Sequence, residues 1–401
     1  MTFSPVNIAA IVAFAVGVLW LFYVYAGYPL ALAALGRIRR FIPESDERIS
    51  PRISVLMSAR NEEKDIEWKV RETLEWDYPP ERLEMLVASD ASTDRTDAIL
   101  SSIADSRLRW LRLERRTGKN GALNQLAQLA TGDFLFFTDA NSHIAADGLK
   151  KIVRHFADAR VGCVTGWERT MTDDAAEHAG ASGGGAYLRY ESMINRLESQ
   201  LGSVLVCDGS IFCIRRELFS AVQPDLANDL ELPLRIGSAG YKLLYEPEVC
   251  SMEKATDSPL QEFTRRRRIC GQGLLGMWRL RACLHGMRLW QFVSRKLLRW
   301  FSLVALAFIA AGTVMLSTSP EFRALLVLQL LFSTMATFGW LQAWRKQPVS
   351  RVFALPFYFM LANVAAFTGV LETCFGRRFA TWEIPSLSRG TVVSAAAIKQ
   401  Q

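Results

Sequence analysis

The first 36 residues of this chain, Met1 to Gly36, contain no charged side chain. Within them the apolar run Ile8 to Leu35 is longer than the roughly 20 residues that cross a bilayer. A cleavable signal peptide has a basic start, a shorter apolar core and a small-residue cleavage site. Here the basic cluster, Arg37, Arg39 and Arg40, comes after the run. That order predicts a retained anchor whose C-terminal end faces the cytoplasm. Three more apolar runs lie near the other end: Phe301 to Leu316, Ala324 to Trp344 and Val352 to Leu371. Half of the residues are hydrophobic, but unevenly so. The pattern excludes an ordinary soluble enzyme and a pure membrane bundle, and predicts a soluble domain set between membrane segments.

The expected organisation follows. Residues 1–40 form an N-terminal transmembrane helix and 41–52 a polar linker. Residues 53–257 form an α/β domain, and 258–298 an arginine- and tryptophan-rich amphipathic segment in the membrane interface. Residues 299–375 hold three transmembrane helices, about four in all, and 376–401 a tail. The basic loop Arg345-Lys346-Gln347-Pro348 is expected in the cytoplasm, with Ser317 to Glu321 and the tail after Leu371 outside, although Arg377 and Arg378 oppose that. This describes a multi-pass protein of the plasma (inner) membrane with its α/β domain in the cytoplasm.

The formal net charge is +7. Its basic residues cluster beside apolar segments (Arg265 to Arg268, Arg295 to Arg299), so anionic lipid headgroups and substrate phosphates are the expected partners, not nucleic acid. Seven cysteines without a CxxC pair, and four histidines without HExxH, argue against a disulfide framework and a histidine-based metal site.

Within the α/β domain, strands alternate with helices, which implies a mostly parallel sheet. Strands are expected at Ile53–Met57, Glu84–Ser89, Leu108–Leu113, Phe134–Phe137, Val161–Gly166 and Tyr241–Tyr245. Val204–Ile214 reads as a strand interrupted by Cys207-Asp208-Gly209-Ser210. Asn61 is placed as the N-cap of a helix running to Trp76, and Asn228 or Asp229 as the cap of a helix over Ala227–Ser238. Thr172 to Gly185 reads as a Gly-rich mobile loop, and Tyr187 to Leu201 as a helix. The stretch Thr117 to His143 is the most informative: a helix, a Gly-Asp turn, a buried strand, then Asp139 and Asn141 at the strand's end. Ligands bind beyond the carboxyl ends of strands in open α/β sheets. Two oxygen ligands there can reach one hard divalent cation.

Five motifs then occur in order: SVLMSARNEE, SDASTD, GKNGALNQLAQLATGDFLFFTDAN, NDLELPLRIGSAGYKLLYEPE and EFTRRRRICGQG. Together they resemble family-2 inverting glycosyltransferases, in particular the membrane-integrated branch of hyaluronan, chitin and cellulose synthases. The resemblance spans roughly Ser54 to Gly273. It implies a glycosyltransferase-A fold (α/β, Rossmann-like), a nucleotide-diphosphosugar donor with UDP as the expected base, and Mg²⁺ or Mn²⁺. Ala59, Asn61 and Glu62 match the first nucleotide-binding loop. Asp90 matches the acid that contacts the base, and Lys119 the lysine of the Gly-Lys motif. Asp139 and Asn141 match the metal and diphosphate motif, and Asp229 the catalytic base. Arg265 and Arg268 match the Gln and Arg of the Gln-x-x-Arg-Trp motif.

Four departures matter. Ser89 and Asn141 each stand where an aspartate is usual, Asn228 replaces the glutamate beside the base, and Ile269 replaces the tryptophan that lies under the acceptor in processive synthases. A saccharide or lipid-linked acceptor, single-sugar transfer to a polyprenyl or glycolipid acceptor, and a silent nucleotide-sugar-binding homologue in an export complex are all compatible with this pattern. So is a homo-oligomer or an export partner. The residues also admit plainer roles. Asp229 suits a helix cap, and Glu231 is a second candidate base. Asp90 suits a turn. Arg266 and Arg267 suit a basic face snorkelling to lipid.

Overall fold

The computed structural model describes residues 5–171, 182–254 and 258–379. Its strands are β1 (Ile53–Ala59), β2 (Leu83–Asp90), β3 (Leu108–Leu113), β4 (Phe134–Thr138), β5 (His143–Ile144), β6 (Val161–Met171), β7 (Ile211–Arg215) and β8 (Lys242–Lys254). They form one sheet in the order β3-β2-β1-β4-β7-β6-β8-β5. β1 to β4 are parallel, as are β6 and β8. β7 runs antiparallel to both β4 and β6, and β5 antiparallel to β8. The mostly parallel sheet expected from the sequence is therefore a mixed one, with β7 joining two parallel halves.

The helices are α1 (Pro5–Phe22), α2 (Tyr28–Ile38), α3 (Ile66–Leu74), α4 (Thr96–Ser102), α5 (Gly118–Leu129), α6 (Gly148–Val153), α7 (Ser182–Ser199), α8 (Asn228–Ser238), α9 (Pro259–Arg279), α10 (Gly286–Phe292), α11 (Leu298–Trp300), α12 (Ser302–Met315), α13 (Pro320–Trp344) and α14 (Arg351–Cys374). Alternate residues of each strand point to opposite faces. Val55, Met57 and Phe136 pack with Ile66 and Val70 of α3 and Ile152 of α6. Leu56, Leu135 and Phe137 pack on the other face with Leu123 and Leu126 of α5 and Leu232 of α8. Helices on both faces explain why Phe134 to Phe137 is apolar throughout.

Several boundaries differ from expectation for local reasons. Asn61 is not an N-cap: it has a left-handed φ of 53°, and α3 starts after Asp65. α8 is preceded by Ala227, so neither Asn228 nor Asp229 caps it. β8 continues far beyond Tyr245, through Pro247, because β6 extends alongside it to Met171. Val204 to Cys207 is not a strand, leaving β7 short. The Gly-rich loop lies mostly outside the described residues, but its last four, Ser182 to Gly185, already belong to α7.

Among the described residues three helices are long and apolar enough to cross a membrane: Val6–Ile38, which joins α1 and α2 through a π-helical turn, α13 and α14. α12 has only 14 residues, about 21 Å at 1.5 Å per residue, short of the ~30 Å hydrocarbon core. It reaches that length only with α10–α11, across a 57° bend. The end of α14 also departs from the expected topology. Glu372 pairs with Arg267 of α9 at 3.5 Å, and the Phe379 carbonyl accepts from Gln272 at 2.9 Å. The first residues after α14 thus lie against α9, on the side of the α/β domain.

Candidate functional site

The loops after β1 and β2 are locked to each other. Ala59 closes β1 fully buried. Asn61 Oδ1 accepts from the Thr93 amide at 2.8 Å, and the Glu62 amide donates to Thr96 Oγ1 at 2.8 Å. Asp90 ends β2, only 3% exposed. Its Oδ1 accepts from the Thr117 amide (2.7 Å) and its Oδ2 from the Gly118 amide (2.9 Å). Asp90 therefore fixes the start of α5, the helix that carries Lys119.

Lys119 Nζ lies 2.5 Å from Asp139 Oδ1 and 3.2 Å from the Gly209 carbonyl. Burial pushes the lysine pKa down, but the Asp139 carboxylate outweighs it, and the net direction is up. The tip bearing Asp139 and Asn141 is held from behind. Ser142 Oγ donates to the Asp139 carbonyl at 2.8 Å, and the fully buried Lys69 donates to the Ser142 carbonyl at 2.6 Å.

Asp229 comes from the other half of the sheet. Its carboxylate abuts Gly209, where a Cβ would lie 3.2 Å from Asp229 Oδ2, a contact that a larger residue there would relieve only by moving the carboxylate. Among the described residues nothing hydrogen-bonds to the Asp229 side chain. Burial raises its pKa; Lys119, Lys296 and Arg268 oppose, and the net direction is up. Glu231, the second candidate base, is fully buried and paired with Arg235 at 2.8 Å, so its carboxylate is already engaged.

Two further acids complete an acidic cluster: Asp208, placed on the acceptor side by its order in the chain, and Glu253, which the sequence pattern does not single out. Burial, then Glu168, raises Asp208 to about 7. Burial, then Glu168, Asp139 and Asp208, raises Glu253 to about 8. Asp208 Oδ1 also accepts from Ser210 Oγ at 2.6 Å. Glu253 lies on the part of β8 beyond Tyr245, which periodicity does not reveal. The only signal for it was the acid spacing in Glu246 to Glu253.

The arginines divide. Arg265 pairs with Glu168 at 2.9 Å, and that charge raises its pKa. Arg266 pairs with Glu262, and Arg267 with Glu372, so these two do not form the free lipid-facing surface considered for them. Arg268 bonds Gln272 at 3.3 Å and faces Asp229 and Asp139; burial, then Arg265, lowers its pKa. Both matched arginines reach acids of the site: Arg265 acts on Glu168 and Glu253, and Arg268 on Asp229 and Asp139. Ile269 follows Arg268, 45% exposed.

No three His, Cys, Asp or Glu side chains among the described residues form a ready metal cage. The donor chemistry still fits a hard divalent cation. Magnesium binds through one or two carboxylates plus substrate phosphates rather than a closed protein cage. Asp139 and Asn141 offer two oxygens at the sheet edge, and Lys119 already holds a positive charge against Asp139.

Residues 54–222 match the family model described as Glycosyl transferase family 2. The chain is 27% identical over 250 residues to Beta-monoglucosyldiacylglycerol synthase of Synechocystis sp., covering 57% of this chain and 51% of that protein. It is 24% identical over 204 residues to Poly-beta-1,6-N-acetyl-D-glucosamine synthase of Staphylococcus aureus, covering 49% and 48%. The chain thus spans about half the length of the curated relatives it matches. Its fold resembles mannosyltransferase PcManGT from Pyrobaculum calidifontis, solved with GDP-Man and Mn²⁺, with a TM-score of 0.68 at 22% identity. That likeness covers 90% of this chain and 98% of the other.

Proposed function

We propose that this chain, which carries a family 2 glycosyl transferase domain over residues 54–222, transfers a single sugar from a nucleotide-diphosphosugar to a membrane lipid, with inversion at the anomeric carbon. The observation that carries the reading is the Asp229 carboxylate. It is half-buried, raised in pKa and without a side-chain hydrogen bond among the described residues, and the charges of Lys119, Asp139 and Arg268 of α9 all reach it.

In this reading the acceptor hydroxyl reaches Asp229 from the side of α9. Asp229 takes its proton as the oxygen attacks the anomeric carbon. A carboxylate so placed contributes roughly 10²–10⁴-fold in rate. The bond to the diphosphate breaks with its electron pair leaving on the diphosphate. Arg268 and Lys119 face that growing charge, in a site where fixed charges act strongly. A divalent cation held by Asp139 and Asn141, Mg²⁺ or Mn²⁺, supplies further neutralisation of the diphosphate when bound. The loops of Ala59, Asn61, Glu62 and Asp90 form the nucleotide end of the same edge.

A lipid acceptor is favoured over a growing polysaccharide by two features. Ile269 offers no aromatic platform for a polymer's sugar. α9, beside Asp229, exposes Leu260 and Trp278 (73% and 66%), a surface suited to the membrane interface. The apolar helices hold the domain at the membrane, with the α/β domain in the cytoplasm. The test is a panel of nucleotide sugars offered to the purified full chain in lipid–detergent micelles with Mg²⁺ or Mn²⁺, followed by product mass. One sugar on a lipid is expected. A long polymer would overturn the lipid reading, and bound nucleotide without any turnover would overturn the enzymatic one.

A further inference from the structure

Between α10 and α11, residues Val293–Leu297 form a π-helical turn. Such turns inside α-helices occur often at functional sites. The turn sorts its charges. Arg295 donates to Glu198 (2.7 Å) and to Glu191 (2.8 Å) of α7, and Arg299 also contacts Glu191. Both α7 carboxylates are therefore taken. Lys296, between them in sequence, is half-buried and has no hydrogen-bond partner among the described residues.

Its direction follows from its neighbours. Residues four apart share a helix face, and four residues either side of Lys296 stand Phe292 and Trp300. Both belong to the apolar cluster that also contains Leu230 of α8 and Cys270 of α9. Trp300 fills the space over Gly273, where a Cβ would lie 2.6 Å from its ring, and Leu230 fills that over Gly276. The first turn of α8, the middle of α9 and this face of the π turn thus share one core. Asp229, Arg268 and Lys296 project from those three elements. The Lys296 charge acts on both the Asp229 carboxylate and the Cys270 thiol.

We infer that Lys296 is a specificity-determining residue that holds a phosphate of the acceptor, so that the acceptor is an anionic lipid carrying a free hydroxyl and a phosphate on one headgroup. The inference rests on the lipid-acceptor reading above. A lipid phosphate oxygen as nucleophile is already deprotonated and needs no base, whereas a hydroxyl needs Asp229. A neutral hydroxyl lipid brings the Lys296 ammonium no hydrogen-bond acceptor of its own; Glu191 and Glu198, whose charges reach it, are already bonded by Arg295 and Arg299. A headgroup with both groups satisfies the base and the cation together. In the transfer, the hydroxyl oxygen bonds the anomeric carbon and its proton passes to Asp229. The sugar–diphosphate bond breaks onto the diphosphate, and the acceptor phosphate remains intact on Lys296.

The experiment compares short-chain phosphatidylglycerol with diacylglycerol as acceptors for the full chain in mixed micelles, in wild type, Lys296→Gln and Lys296→Arg. A charge-assisted contact corresponds to roughly 10- to 100-fold. The wild type is expected to prefer phosphatidylglycerol by at least about tenfold in kcat/KM. Lys296→Gln should lose that preference through KM, and Lys296→Arg should keep it. Equal use of both lipids by wild type overturns the inference, as does a preference that survives in Lys296→Gln. A rise in donor KM in its place also overturns it, because the phosphate held is then the donor's. The wild-type comparison needs no variant and decides the matter if Lys296→Gln does not fold. Transfer to no lipid at all overturns the lipid reading itself.

Discussion

The two halves of the sheet handle polar side chains in opposite ways. In the half built from β1 to β4, the loops at the ligand edge are mutually satisfied: Asn61 with Thr93, Glu62 with Thr96, Asp90 with both amides that open α5. In the half built from β7, β6 and β8, Asp208, Asp229 and Glu253 crowd together, and burial with mutual repulsion raises their pKa values. The first half is preorganised without a ligand. In the second, Lys119, Arg265 and Arg268 oppose that repulsion without cancelling it. In the proposed reaction the rigid half is the nucleotide end and the charged half the reaction end.

Removing the group shared by the two halves should have the largest effect. Asp139→Ala deletes the partner of Lys119 and one of two candidate cation ligands. Transfer should fall by about 10²–10³-fold, the scale seen when one charge-stabilising group is lost. Steady-state rates across a Mg²⁺ or Mn²⁺ titration check it, and a loss below about tenfold would detach this tip from catalysis. Next comes the rigid half. Asp90→Ala leaves the Thr117 and Gly118 amides without their acceptor, at a cost of about 1–3 kcal/mol in stability. Thermal unfolding should register that as a lower Tm, and an unchanged Tm would mean that the nucleotide end is less locked than its hydrogen bonds imply.

The smallest expected effect is on how stability varies with pH, and it comes from two acids of the charged half. Asp208 and Glu253 hold protons in the folded state, up to about 7 and about 8 respectively, that the unfolded chain releases near pH 4. The folded state then binds more protons than the unfolded one, so stability falls as pH rises from about 4 to about 8. Without nucleotide or divalent cation, Tm should be lower at pH 8.5 than at pH 5.5, and Glu253→Gln should narrow the gap. A Tm that rises with pH, indifferent to Glu253→Gln, would erase the contrast between the halves.

How much of this could be read from the residues alone follows the same division. β1 and β4 are short apolar runs covered on both faces, and helices and turns bound them clearly. β8 is interrupted by Glu246, Pro247 and Glu248, so its far end, with Glu253, is visible only through its long pairing with β6. Asn61 has the composition of a cap but a left-handed backbone, a tertiary choice that its side chain makes by bonding Thr93 across the loops. Asp229 stood between cap and base in the sequence; Ala227 at the N-cap position removes the first of those roles. Arg265 carried a phosphate-binding assignment by motif alone, and Glu168, nearly a hundred residues away in sequence, takes its charge. Local pattern was enough for the central elements such as β1, β4 and α5, but not for the extent of β7 and β8. The partners of charged groups depend on distant segments and were not legible in that pattern.

The most direct test is the transfer rate of Asp229→Asn beside wild type, with donor affinity measured by titration on the same preparations. The substitution keeps the shape and removes the base. Transfer should drop by at least about 10²-fold while donor Kd stays within a few-fold. Transfer within a few-fold of wild type would contradict the assignment of Asp229 as the base and, with it, the reaction geometry proposed for the site.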